Sequence, residues 1–157
     1  MRFREAVEKT EGLAEAYRPG LRALKNVDRG RIVCRNTRNL AGSVNLDEAL
    51  SDSHPNDPRW DYGIGIRNSR GSDRVTWVEV HPASSSHVQD VLSKFAWLKQ
   101  WLKSSAPLLN GILAEYVWVA SGSVHIPPNS PQRRKLSSKG IRFVGERLRV
   151  MGPDSPG

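Results

Sequence analysis

Between residues 87 and 103 the apolar side chains Val88, Val91, Leu92, Phe95, Leu98 and Leu102 recur at intervals of three and four, the signature of a helix with one buried stripe. Runs rich in β-branched and aromatic residues flank it, 60–66 and 74–81 on one side and 115–120 on the other. A long amphipathic helix between strands must cover a sheet face. The chain is therefore predicted to be α/β, a single domain over residues 1–150 with a mixed central sheet flanked by helices. Residues 68–72 supply the turn that makes 60–81 a hairpin.

The rest of the chain is arranged around this unit. A helix is predicted over 4–17, with a short continuation over 21–25 after Pro19 and Gly20, then strands over 31–35 and 40–46. A helical turn over 47–50 has Asn45 or Asp47 as its cap, and 51–58 is dense in turn formers. Ser84, Ser85 and Ser86 offer an N-cap to the long helix. A short extended piece is expected at 124–126, a helix over 132–138 closed by Gly140, a last strand at 141–144 and a disordered tail over 151–157.

Composition narrows the functional classes. The net charge of +8 gathers anions, and nucleic acid is the commonest polyanionic partner. Seven basic residues against one acid occupy 18–38, and the same ratio recurs over 132–150, where Arg133, Arg134, Lys135, Lys139 and Arg142 are the candidate nucleic-acid contacts. Between them lies an acidic island, with five acids and one base over 47–61. Such an island repels phosphate unless a cation intervenes. No apolar run reaches the roughly 20 residues needed to span a bilayer, so no membrane role is expected. The N-terminus lacks the apolar segment of a signal peptide, and the single cysteine, Cys34, excludes a disulfide framework or multi-cysteine zinc site, so a cytoplasmic location is expected. Neither a phosphate-binding glycine loop nor a nucleophile elbow is present, and Gly63-x-Gly65 is only half a dinucleotide fingerprint.

The chemistry concentrates on the hairpin. Alternation puts Trp77, Glu79 and His81 on one face of the second strand and Thr76, Val78 and Val80 on the other, which is expected to face the core. Asp61 opens the neighbouring strand and can face Glu79 across the ladder at about 5 Å. Two carboxylates at that range suit a divalent cation, and His81 could act as ligand, proton carrier or phosphate donor. A plain reading stays open beside this one, with Asp61 as a turn residue and Glu79 and His81 on a solvated face.

The order αβββαβ, with Pro58-Arg59-Trp60-Asp61 and, after seventeen intervening positions, Glu79-Val80-His81, resembles the PD-(D/E)XK, restriction-endonuclease-like nuclease superfamily. The resemblance implies Mg²⁺ (or Mn²⁺) held by Asp61 and Glu79 for phosphodiester hydrolysis of nucleic acid. His81 stands where that family places a lysine, and Lys94 on the following helix is the candidate replacement amine. Glu11 or Glu15 could supply the extra acid some members carry. The alternative is a catalytically inactive nuclease-like module that binds nucleic acid or a partner protein.

Overall fold

The computed structural model describes residues 1–150; the tail expected over 151–157 lies outside the described residues. The chain runs α1 (Phe3–Glu8), α2 (Asn26–Arg29), β1 (Ile32–Cys34), β2 (Leu40–Asn45), α3 (Leu46–Ala49), β3 (Tyr62–Ile66) and β4 (Arg74–Ser84). It continues through α4 (Val88–Ser105), α5 (Pro107–Asn110), β5 (Ala114–His125), α6 (Pro131–Lys139), β6 (Ile141–Phe143) and β7 (Leu148–Val150). Five strands form one mixed sheet in the order β2-β3-β4-β5-β6. The first three are antiparallel neighbours, whereas β5 runs parallel to β4 and β6 parallel to β5. The parallel β4–β5 pair requires a crossover, and α4 provides it.

Every residue of the predicted helical stripe is buried, with Trp101 added to it. This stripe packs on the sheet face that carries Val75, Trp77 and Trp118, in a cluster completed by Phe3, Val7, Leu13, Trp60 and Leu136. The expectation that this face of β4 is the solvated one is overturned, since Trp77 and Glu79 are both fully buried. The opposite face, with Tyr62, Ile64, Val78, Val117 and Val119, is buried as well, under Leu24, Ile32 and Leu148. The two-stranded parallel pair β1–β7, which sets Ile32 against Leu148, helps to cover it. A central sheet covered on both faces reads as nearly continuous apolar sequence, which hides which face is outermost.

Gly63 and Gly65 have a packing role, not that of a dinucleotide loop. A Cβ on Gly63 would stand 2.6 Å from Trp77, and one on Gly65 would stand 2.5 Å from Phe3, so both aromatic rings lie directly on β3. The N-terminal helix is shorter than its pattern suggests. Thr10 turns its hydroxyl back to the Ala6 carbonyl at 2.7 Å, and Gly12 takes φ +89°, so residues 9–16 continue as turns. Residues 21–25 likewise form turns, with α2 following them. Asn45 does cap α3, accepting the Glu48 amide at 2.9 Å, and Gly140 closes α6 in the left-handed region at φ +98°. The serine triplet does not cap α4: residues 85–87 form a 3-10 turn, and Ser84 pairs with Ser86 instead. Among the described residues no helix is long and apolar enough to cross a membrane.

Candidate active site

The register of the hairpin fixes the centre of the site. Tyr62 pairs with Val78, so the preceding residue, Asp61, stands opposite Glu79. The two are tied reciprocally: the Asp61 amide donates to Glu79 Oε1 at 3.1 Å, and the Val80 amide donates to Asp61 Oδ2 at 2.9 Å. The Asp61 carbonyl in turn accepts the Leu46 amide at 2.8 Å, which joins the start of α3 to the same point. Each carboxylate is thus oriented by backbone donors, the most rigid partners the chain can offer.

Lys94 reaches this centre from the second turn of α4. Its Nζ donates to Glu79 Oε2 at 2.6 Å. His81 approaches the same oxygen, with Nδ1 at 3.4 Å. All four catalytic candidates named from sequence, Asp61, Glu79, His81 and Lys94, are therefore brought together. Glu79 has no exposed side-chain surface, while Lys94 keeps 23% of its own.

Burial and the neighbouring Glu79 charge push the Asp61 carboxyl up to about 7, against the opposing pull of Lys94 and the Val80 amide. For Lys94, burial works against the charged form, but Glu79 and Asp61 together outweigh it and the ammonium is held above its ordinary value. It therefore stays protonated at neutral pH, able to offer charge and hydrogen bonds but not to accept a proton. Two facing carboxylates, one of which titrates high through burial and the charge of the other, fit a divalent cation by donor type.

Sequence reasoning missed three groups. Asp47 adds negative charge felt by both Asp61 and Lys94, and Arg59 holds it through an ion pair of 3.1 Å. It, and not Glu11 or Glu15, is the additional acid whose field reaches the pair; those two glutamates are exposed on the turns after α1. The others are His87 and Asp90, which gather beside His81: His81 Nε2 lies 3.2 Å from His87 Nδ1, and His87 Nδ1 lies 3.5 Å from Asp90 Oδ2. Their spacing of three on a helix start was the available signal.

The remaining acidic island has a structural use. Asp57 accepts His54 Nδ1 at 2.9 Å and Trp97 Nε1 at 3.0 Å, which fastens the loop after α3 onto α4. Trp77, a candidate base contact by its position beside Glu79, is fully buried in the core. Of the five basic candidates, Arg133 lies over the Phe143 ring at 4.6 Å and donates to the Ile126 carbonyl, and Arg142 pairs with Glu115 at 3.2 Å. Arg134 donates to the Asn129 carbonyl from an exposed position, and Lys135 and Lys139 are exposed on α6.

Comparison of the chain with protein-family models, curated proteins and solved structures gives no match.

Proposed function

We propose that the protein hydrolyses phosphodiester bonds of nucleic acid with a divalent cation, Mg²⁺ or Mn²⁺, held by Asp61 and Glu79 in the manner of the PD-(D/E)XK nucleases. The observation that carries this reading is the triad around the buried Glu79: Asp61 facing it across the ladder and Lys94 2.6 Å from it. A buried ion pair is a poor way to stabilise a fold, because the desolvation of both charges offsets their attraction. Concentrating such groups with a displaced carboxyl pKa is typical of reactive centres. The sheet supports the same reading, since β2, β3 and β4 are antiparallel neighbours and α4 leads to the parallel β5, with Asp61 just ahead of β3 and Glu79 on β4.

Bound there, the cation would supply a Lewis acid and an activated water. The chain's own residues do the rest. The Val80 and Asp61 amides hold the carboxylates in fixed orientation. Lys94, protonated, neutralises part of the carboxylate charge and presents a cation to non-bridging phosphate oxygens, where charge accumulates as the bond breaks. Exposed Arg134, Lys135 and Lys139 together with the net charge of +8 attract the polyanion.

A second reading has its own support. Both Glu79 oxygens are already engaged, one by the Asp61 amide and one by Lys94, and the side chain is fully buried. On that basis the domain binds nucleic acid or a partner protein and cuts nothing. Mixed DNA and RNA substrates incubated with Mg²⁺ or Mn²⁺, beside a binding titration over a range of salt, separate the two. Metal-dependent products support hydrolysis; salt-sensitive binding without products under either metal supports the inactive module.

A further inference from the structure

Next to the carboxylate pair, three side chains that the proposed hydrolysis does not use converge on one point. His81 lies on β4 just past Glu79, His87 ends the turn that enters α4, and Asp90 sits on the first turn of that helix. His81 Nε2, His87 Nδ1 and an Asp90 oxygen all lie within 4.8 Å of one another. The separations are 3.2 Å between the imidazole nitrogens, 3.5 Å from His87 to Asp90 and 4.0 Å from His81 to Asp90.

These distances suit a small tetrahedral ion. With metal–ligand bonds near 2.0–2.1 Å, two ligands on a tetrahedral Zn²⁺ stand about 3.3 Å apart. The two imidazoles already have that spacing, and Asp90, whose side chain is 62% exposed, is free to move in from its 3.5 Å to His87 and 4.0 Å to His81. A hydrogen bond between the rings accounts for one of the three contacts, and Asp90, in the first turn of α4, also complements the helix dipole.

The second observation lies behind the ligands. His81 Nδ1 stands 3.4 Å from Glu79 Oε2, the carboxylate partner that a ligating histidine ordinarily has on its far nitrogen. The Glu79 carboxylate on that side favours a proton on Nδ1, which leaves the Nε2 lone pair turned toward His87 and Asp90. Trp118, fully buried, donates its indole N–H to the His81 carbonyl at 3.1 Å and walls the ring at 6.4 Å, edge to face. The ring is thus held on both sides before any ion arrives.

We propose that His81, His87 and Asp90 form a binding site for Zn²⁺ or an ion of similar size and softness, with three protein ligands and a fourth position open to water. The site is separate from the oxygen-only carboxylate pair, which suits harder ions, and its existence does not rest on the hydrolytic reading.

The test is a calorimetric titration of ZnCl₂ into chelator-treated protein with excess Mg²⁺ present, repeated with Co²⁺ to read the visible bands of a tetrahedral site. The proposal expects one equivalent bound in the wild type, weakening of more than about tenfold in His87→Ala and in Asp90→Asn, and unchanged stoichiometry in Asp61→Asn. His87 and Asp90 are surface residues at a helix start, so circular dichroism should show both variants folded. Absence of Zn²⁺ binding in the wild type overturns the site. So does wild-type affinity in folded His87→Ala and Asp90→Asn, or loss on Asp61→Asn alone, which would move the ion to the carboxylate pair.

Discussion

Two ion pairs whose acids stand on neighbouring strands of one sheet, β4 and β5, differ in almost everything but chemistry. Arg142 meets Glu115 at 3.2 Å with 55% and 49% of the side chains exposed, while Lys94 meets Glu79 at 2.6 Å with 23% and 0% exposed. Water solvates the first pair whether or not it forms, so its contribution is about 0–1 kcal/mol. In the second pair Glu79 has given up its water, so removing Lys94 strands it. An apolar pair would fill the same space at lower cost. The buried pair is therefore not explained by the stability it confers.

The sharpest way to break this contrast is at Lys94. Lys94→Met strands Glu79 in the core and should cost about 3 kcal/mol by chemical denaturation, whereas adding Glu79→Leu to it should restore most of that loss. A double variant as unstable as the single one would mean that the pair itself supports the fold.

Asp61 gives the next largest effect, and one with a pH signature. Its carboxyl is raised by burial and by Glu79 to about 7 in the folded chain, against about 4 when unfolded, so folding favours its protonated form. The stability this contributes is complete below pH 4 and is lost as pH rises through 7. Without divalent cations, Asp61→Asn should therefore be more stable than wild type at pH 8, with the gap closing below pH 4. Melting curves across that range check it, and a gap independent of pH would contradict it. At the exposed pair, Arg142→Ala should change stability by less than about 0.5 kcal/mol, and that little should fade with added salt.

The parts of this molecule legible in sequence are those with a period. The α4 stripe, the β3–β4 hairpin and β5 each repeat a pattern over enough residues to declare themselves, and the Asp61–Glu79 juxtaposition follows from strand register alone. Lys94 was within reach only through the resemblance, which looks to the following helix for a replacement amine. What escaped depends on distant packing. The three-residue strand β7 carries too little alternation to be read, and its parallel pairing with β1, itself expected over 31–35, joins segments far apart in the chain. The burial of Glu79 escaped for a different reason: Trp77 on its own face is large enough to draw α4 over it, so the face that carries the charge also carries the larger core. Asp47, His87 and Asp90 sit at corners whose direction is set only once the sheet has formed.

The central claim is that the buried charges serve hydrolysis, and cleavage itself tests it most directly. Purified wild type, Asp61→Asn, Glu79→Gln and Lys94→Met, each verified as folded, are given labelled DNA and RNA with Mg²⁺, with Mn²⁺ and with chelator. The account predicts cleavage by the wild type only when metal is present, and a fall of about a hundredfold or more in each variant. Cleavage at the wild-type rate by folded Asp61→Asn and Glu79→Gln, or no cleavage by the wild type with either metal, would contradict it.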